Sequence, residues 1–238
     1  MSGENMVDEL VRYEVRDRIA LVTIANGKAN ALSPDVIEQL GAALTRAEDA
    51  GPEQVGALLI TGTPGMLSGG FDLAVMRAGG PAMGRLVTDG GALFTRMFGS
   101  EVPVLVACPG HAVAAGALLL LGADERIGVR GAFRLGLIET EIGMALPTWA
   151  AEFARERLSR RHLQLATLGA KMYDPSGAQE AGYLDSVVEP GALEDTAFEA
   201  ATRWAKLPRD AYRGQVRMNR GDALGRLADA VAADRARL

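Results

Sequence analysis

The segment 62–70 has the composition of a loop that binds a ligand through its backbone. Four of its nine residues are glycine, and it follows directly after the apolar residues 55–61. Glycine lets the backbone adopt unusual angles and approach a ligand closely. Loops held by a rigid scaffold often carry the functional groups of a protein. This segment therefore predicts a site in which main-chain groups face a ligand.

Side chains that often act as nucleophiles or metal ligands are isolated in this sequence. Ser68 lies in the glycine-rich segment, but Met66 occupies the first glycine position of the motif Gly-x-Ser-x-Gly. Cys108 ends an apolar run, where an inert core residue is expected. His111 fits best as a hydrogen-bonded packing residue, and His162 lies in an arginine-rich segment. These patterns argue against a serine hydrolase, a cysteine nucleophile and a zinc site.

The elements around the glycine-rich segment alternate between strands and helices. Residues 9–24 predict two strands joined by a turn, and Ser33, Pro34 and Asp35 predict the start of a helix that runs to Asp49. Further apolar segments predict buried strands at 55–61, 103–108 and 125–129, and a short helix at 115–123. This alternation indicates an α/β fold with a parallel sheet.

The chain beyond Pro147 is predicted to be mostly helical. One apolar strand is expected at 184–188. Helices are predicted at residues 148–158, 160–170, 175–181, 191–206 and 209–235. The sequence therefore indicates an α/β core followed by a helical C-terminal region.

Composition limits the classes of partner and compartment. The chain has 238 residues, a hydrophobic content of 48% and a formal net charge of -5, which suits one domain and argues against nucleic-acid binding. Its single cysteine fits a reducing cytoplasm, and residues 1–18 lack the pattern of a signal peptide. The longest apolar run, 112–121, is about half the ~20 residues of a membrane span. We expect a cytoplasmic protein without a membrane segment.

Three segments resemble motifs of one known family. Residues 59–73, LITGTPGMLSGGFDL, resemble the first signature of the enoyl-CoA hydratase/isomerase, or crotonase, family. Residues 103–116, PVLVACPGHAVAAG, resemble the second signature, which is usually richer in glycine, and residues 27–32, GKANAL, resemble the Asn-Ala-Leu element. The segments occur in the family's order and spacing. The resemblance implies the crotonase (ClpP/crotonase) fold, with repeated ββα units and a C-terminal helical region.

The resemblance also implies an oxyanion hole made of two backbone N–H groups. By position these belong to Phe71 and Ala115. Such donors stabilise the negative charge that forms on a thioester oxygen, and Ala115 would in addition open a helix at its positive end. The expected substrate is an acyl-CoA thioester, so coenzyme A would enter as part of the substrate and no separate cofactor or metal is implied.

Many family hydratases use two glutamates, and this sequence lacks the first. Leu118 stands three residues after Ala115, where the family has that carboxylate. The second glutamate lies four residues before a glycine in the family, which selects Glu139 before Gly143, with Glu141 as the alternative. A single carboxylate in an apolar cavity should have a raised pKa and favours isomerisation, although hydration through one glutamate stays open.

The same alignment implies a binding path for coenzyme A. It consists of Lys28, Ala29, Gly70, Phe71, Asp72, Leu73 and Ala115. The family often has lysine where Ala74 stands, so the side chain for one phosphate contact is absent at that position, and Arg77 is a candidate replacement.

The resemblance finally implies a domain division and an assembly. Residues 1–190 would form the crotonase core, and residues 191–238 a helical trimerisation region. The expected assembly is a homotrimer or a dimer of trimers. The function expected first is an enoyl-CoA hydratase or isomerase. The alternative is a non-catalytic acyl-CoA-binding homologue that has lost its chemistry with Leu118.

Overall fold

The computed structural model describes residues 9–237. Predictions for residues 1–8, which concern the signal peptide and the start of the core domain, lie outside the described residues. The strands are β1 (Val11–Arg16), β2 (Ile19–Ile24), β3 (Ala57–Thr61), β4 (Gly65–Ser68), β5 (Val104–Cys108), β6 (Gly110–Val113), β7 (Glu125–Val129), β8 (Leu135–Gly136) and β9 (Ser186–Val188). The helices are α1 (Pro34–Asp49), α2 (Leu73–Ala78), α3 (Gly80–Phe98), α4 (Ala115–Leu121), α5 (Thr148–Arg157), α6 (Leu163–Thr167), α7 (Pro175–Ala181), α8 (Leu193–Ala205) and α9 (Arg209–Arg235).

The strands form two sheets of different size. The larger sheet has six strands in the order β1-β2-β3-β5-β7-β9, and only its first pair, β1 with β2, is antiparallel. The smaller sheet has three parallel strands in the order β4-β6-β8. Along the chain, each strand of the small sheet follows one of the large sheet: β4 follows β3, β6 follows β5 and β8 follows β7. This arrangement confirms the predicted α/β class with repeated strand–strand–helix units.

The large sheet is covered on both faces. Along β3, Leu58 and Ile60 belong to the main hydrophobic core, whereas Leu59 belongs to a second cluster beneath α8. Successive side chains of a strand point to opposite faces, so both faces of β3 are buried. This two-sided burial explains why the parallel strands show as continuous apolar runs in the sequence.

Several predicted elements are confirmed within a few residues. The helix predicted after Ser33 is α1, and the Ser33 hydroxyl accepts the N–H of Val36 as its cap. The helix predicted over residues 160–170 was too long, because α6 covers only Leu163–Thr167. The segment after Pro109 was predicted as a break before a helix, but it first forms β6.

The pattern of the sequence did not predict α2 and α3. The segment from Leu73 to Phe98 contains glycines that lower helix propensity. Two of them face aromatic rings: a Cβ on Gly90 would lie 2.5 Å from the Phe71 ring, and one on Gly91 would lie 2.7 Å from the Trp149 ring. Close packing therefore requires glycine in a helix that tertiary contacts stabilise.

The C-terminal helix α9 packs against its own chain. Leu227 and Val231 lie in the main core, and Arg220 donates to the Phe98 carbonyl and the Asp124 carboxylate. The role of residues 191–238 in trimer formation stays a prediction. Across residues 9–237, the model contains no helix with the length and apolar character required to cross a membrane.

Candidate active site

Three loops that carry the predicted site residues follow the three strands of the small sheet. Phe71 lies shortly after β4, Ala115 after β6, and Glu139 after β8. These strands are parallel neighbours, so their carboxyl ends meet at one edge of the sheet. Carboxyl ends of parallel strands are a common location for ligand sites in α/β proteins. The topology therefore brings the two candidate N–H donors and the candidate proton carrier to the same edge, with Ala115 just after the central strand β6.

Both candidate N–H donors are free to bind a ligand. Leu32 donates to the Gly70 carbonyl at 2.8 Å and accepts from the Asp72 N–H at 3.2 Å, so the Phe71 N–H points away from this bridge. Ala115 is the first residue of α4, where a backbone N–H has no partner within the helix. Within residues 9–237 neither N–H group has a hydrogen-bond acceptor.

The loop after β4 is held by buried polar groups. Asn30 is fully buried, and its side-chain amide donates to the Thr63 hydroxyl and the Met66 carbonyl, both at 3.1 Å. The Ser68 hydroxyl accepts the Gly70 N–H at 3.1 Å. These bonds leave the loop little freedom, as a preorganised oxyanion hole requires. Asn30 was part of the GKANAL motif, but its anchoring role was missed in the sequence.

The two glycine-rich loops pack directly against each other. A Cβ on Gly70 would lie 3.1 Å from the Ala114 Cβ and 3.5 Å from the Ala115 nitrogen, and its φ of +106° is in the region that favours glycine. A Cβ on Gly116 would lie 2.3 Å from the Ser68 carbonyl oxygen. Glycine is thus needed at both positions to bring Phe71 and Ala115 together.

Ala114 adopts the unusual backbone conformation of the second loop. Its φ of 51° and ψ of -121° are typical of glycine, and no local sequence pattern indicates that an alanine would adopt them. Ala115, one residue later, is the first helical residue. The strained backbone of the second loop is therefore at Ala114 and not at the proposed donor itself.

Glu139 has the environment expected of a proton carrier. The side chain is largely buried, and desolvation raises the pKa of its carboxyl, although the backbone N–H groups of Glu139 and Ile138 oppose this. Its Oε2 is buried without a hydrogen-bond partner among the described residues. Glu141, the alternative, is exposed to solvent. The structure therefore favours Glu139 of the two.

Leu118 places a buried apolar side chain where many hydratases of the family have another carboxylate. Its side chain is 1% exposed and lies in the main core with the rest of α4. The side chain at this position therefore cannot exchange a proton with a substrate.

The residues predicted to bind coenzyme A differ in exposure: Lys28, Ala29 and Leu73 are exposed, whereas Gly70 and Ala115 are buried. The Ala29 carbonyl accepts the Gly69 N–H at 2.8 Å, which holds the exposed Lys28 and Ala29 against the loop of Gly70. Asp72 accepts the N–H groups of Ala74 and Val75 as the cap of α2. At the start of α2, Leu73 is 64% exposed.

The other candidate side chains have structural partners. Ser68 is fully buried, and His111 accepts the Arg134 N–H through Nδ1 at 3.1 Å while its ring packs on Phe133. Burial raises the pKa of the Cys108 thiol to about 12. His162 is half-buried beside Tyr173, so its expected surface position was only partly correct. These contacts agree with the roles predicted for Ser68, His111 and Cys108.

One buried side chain near Glu139 was missed in the sequence. Tyr183 is fully buried, and its hydroxyl has no hydrogen-bond partner among the described residues. Burial and the nearby Glu139 carboxylate both raise the pKa of this hydroxyl. A tyrosine just before a predicted apolar strand looks like a core residue, so no local pattern pointed to it.

Comparisons with known proteins agree with the geometry. Residues 14–235 match the family model described as Enoyl-CoA hydratase/isomerase. The chain is 26% identical to the mitochondrial enoyl-CoA delta isomerase 1 of Homo sapiens over 230 residues, which cover 94% of this chain and 75% of the relative.

Solved structures show the same similarity. An enoyl-CoA hydratase/isomerase family protein from Pseudomonas syringae is 43% identical with a TM-score of 0.92, covering 95% of this chain and 97% of that one. The apo structure of an Mtb enoyl-CoA isomerase is 34% identical with a TM-score of 0.90, covering 97% and 99% of the two chains. With a family match that spans nearly all of its length, the chain belongs to the enoyl-CoA hydratase/isomerase family.

Proposed function

We propose that this protein is an enoyl-CoA isomerase that moves a double bond from the 3- to the 2-position of an acyl-CoA thioester. The Glu139 carboxylate removes a proton from C2, and the electron pair of that bond forms a C1–C2 double bond. The thioester oxygen becomes negatively charged and is held by the N–H groups of Phe71 and Ala115. Glu139 then returns the proton to C4, which leaves the double bond between C2 and C3.

The observation that carries this proposal is the combination of two free N–H donors with one carboxylate of raised pKa. Preorganised donors stabilise the dienolate oxygen, and losing one typically costs about 2.7–4 kcal/mol of transition-state stabilisation. A carboxyl whose pKa lies closer to neutrality accepts and returns a proton more readily.

Leu118 makes isomerisation a better fit than hydration. Hydration needs an activated water and a proton delivered to C2, and two carboxylates divide this work well. Here Leu118 stands at the position of one of them and is buried in the core. Isomerisation needs a single base that faces both C2 and C4. The resemblance to the human enoyl-CoA delta isomerase supports the same choice.

Coenzyme A is proposed to bind along Lys28, Ala29 and the loop from Gly70 to Leu73. The exposed Lys28 ammonium suits a phosphate group of the nucleotide. The exposed Leu73 side chain offers an apolar contact at the start of α2. In this proposal coenzyme A is part of the substrate, and the reaction uses no further cofactor.

The test is to supply 3-enoyl-CoA and 2-enoyl-CoA thioesters separately to the wild type, Glu139→Gln and Glu141→Gln. We expect the wild type to isomerise the 3-enoyl substrate faster than it hydrates the 2-enoyl substrate. Loss of the acid–base group in Glu139→Gln should lower kcat by about 10²–10⁴-fold. Glu141→Gln, the matched control in the same loop, should retain wild-type activity.

Other outcomes have equally definite meanings. Faster hydration than isomerisation would assign the chain to the hydratases of its family. Full activity in Glu139→Gln would remove Glu139 from the mechanism. Acyl-CoA binding with no turnover of either substrate would establish the non-catalytic alternative.

A further inference from the structure

The hydroxyl of Tyr183 is a buried polar group that the proposed reaction does not yet use. The side chain has no exposed surface, and the hydroxyl has no partner among the described residues. Burying a hydroxyl without a hydrogen bond is unfavourable, so such groups are uncommon in folded proteins. The Glu139 Oε2 is buried and unpartnered in the same way.

The fold places Tyr183 beside the segment that carries Glu139. Leu135 of β8 and Tyr173 exchange two backbone hydrogen bonds, each of 2.9 Å. The Tyr183 ring lies 6.0 Å from the Tyr173 ring between centroids. The Glu139 carboxylate raises the pKa of the Tyr183 hydroxyl, and the Leu137 N–H, which makes no hydrogen bond to it, lowers that pKa, so both groups lie near the hydroxyl. The tyrosine therefore faces the stretch that leads from β8 to the proposed base.

The backbone around Tyr183 is held in place from the opposite side. The Arg126 guanidinium donates to both Asp185 carboxylate oxygens, at 2.9 and 2.6 Å, and to the Gly182 carbonyl at 2.7 Å. The Arg126 N–H also donates to Asp185 at 2.8 Å. Residues on either side of Tyr183 are thus fixed by one ion pair, which limits movement of the ring.

We propose, on the basis of the isomerase function above, that Tyr183 is a positioning residue whose hydroxyl donates a hydrogen bond to one bridging water molecule that in turn binds the Glu139 carboxylate. Tyr183 stays neutral at working pH, because its pKa is raised, and therefore acts as a donor. A bond to one carboxylate oxygen leaves the other free to face C2 and then C4 of the acyl chain. It also favours the charged form, which is the form that removes the first proton.

The titratable groups around this pair can be separated experimentally. Burial also raises the pKa of Tyr173, whose hydroxyl lies 3.4 Å from His162 Nδ1. Arg126 and Asp185 are paired with each other. Tyr173→Phe is thus the matched control for Tyr183→Phe. It removes the hydroxyl of the neighbouring tyrosine and, with it, the contact to His162.

The experiment measures kcat and KM for a 3-enoyl-CoA substrate against pH in the wild type, Tyr183→Phe and Tyr173→Phe. Loss of the donor raises the Glu139 pKa, so the acidic limb of kcat/KM in Tyr183→Phe should move to higher pH. On that limb, activity should fall about tenfold for each pH unit of this displacement. KM at neutral pH should stay unchanged and the melting temperature should not fall, because the removed hydroxyl makes no hydrogen bond to a protein group among the described residues. Tyr173→Phe should leave the limb in place.

A second measurement does not depend on turnover. Carbon-13 labelling of glutamate side-chain carboxyls lets the Glu139 resonance be titrated by NMR, with Glu139→Gln used for its assignment. An upward displacement of this titration in Tyr183→Phe alone supports the hydrogen bond, even if the wild type has no isomerase activity and the proposed function fails. An unmoved titration in Tyr183→Phe, or an equal displacement in both variants, overturns the role of Tyr183.

Discussion

The loops after β4 and β6 differ in construction from the loop after β8. The first two are held by buried hydrogen bonds and by glycines that admit no larger side chain, as at Gly116 against Ser68. The loop after β8 is mostly exposed, including Ile142 at 57%, and carries near its start the Glu139 carboxylate with its unpartnered oxygen. The proposed oxyanion donors therefore lie in tightly packed loops, whereas the proposed base lies in a more exposed one.

The largest effect on the loops after β4 and β6 is expected from Gly116→Ala. The new Cβ would lie 2.3 Å from the Ser68 carbonyl oxygen, so the loops must separate and the donors at Phe71 and Ala115 lose their alignment. Loss of one oxyanion donor lowers kcat by about 10²–10³-fold. Overpacking should also lower the free energy of unfolding by about 1–3 kcal/mol. Steady-state kinetics and denaturant unfolding measure the two effects.

The control for that substitution is Gly225→Ala in α9, where a Cβ meets nothing within 4 Å. It should leave kcat unchanged and stabilise the protein by roughly 0.5–1 kcal/mol, because alanine favours a helix over glycine. Wild-type activity in Gly116→Ala would mean that the two loops tolerate separation.

A smaller effect is expected from Gly90→Ala in α3. Its Cβ would lie 2.5 Å from the end of the Phe71 ring, which must shift and pull on the Phe71 N–H. A misplacement of about 1 Å costs up to ~10²-fold in rate, so we expect a loss of kcat within that bound. Gly41→Ala in α1, with its nearest contact at 4.0 Å, should have no such effect. Equal kinetics in Gly90→Ala and Gly41→Ala would mean that a shift of the Phe71 ring does not displace the Phe71 N–H.

The loop after β8 can be tested through stability rather than rate. Burial raises the pKa of Glu139, so its contribution to stability is fully present below the unfolded pKa and is lost as pH rises through the folded pKa. Glu139→Gln is never charged and should melt at a higher temperature than the wild type at neutral pH, with the difference shrinking in acid. Glu141→Gln should show no such pH-dependent difference. A constant difference at all pH values would contradict the buried charge.

The smallest effect is expected from Ala114→Gly, which relieves strain without changing a contact of the site. Backbone strain of this kind costs about 1–3 kcal/mol, and the added chain entropy of glycine opposes it by about 0.4–1 kcal/mol. We expect a net stabilisation of about 1 kcal/mol in denaturant unfolding and unchanged kcat. Ala151→Gly in the regular helix α5 should instead destabilise the protein. Destabilisation by Ala114→Gly would mean that the alanine is not strained.

The sequence predicted the loops after β4 and β6 better than the loop after β8. Phe71 and Ala115 lie in segments where close packing requires glycine at particular positions. The order and spacing of these glycines could therefore be recognised in the sequence. Glu139 had to be chosen over Glu141 by distance to Gly143, and only burial separates them in the structure. Tyr183 comes near Glu139 through the pairing of β8 with Tyr173, which no local pattern encodes. Helix α3 was not predicted because its glycines lower helix propensity. The contacts that require them, with Phe71 and Trp149, lie outside the helix segment.

The most direct test of the mechanism follows one hydrogen atom through the reaction. A 3-enoyl-CoA substrate with deuterium at C2 would be converted by the wild type, and the product would be examined by mass spectrometry and NMR. A single carboxyl that removes the C2 proton and returns it to C4 predicts deuterium at C4 of the 2-enoyl product. A product whose C4 gains only solvent hydrogen would contradict proton transfer by Glu139 alone.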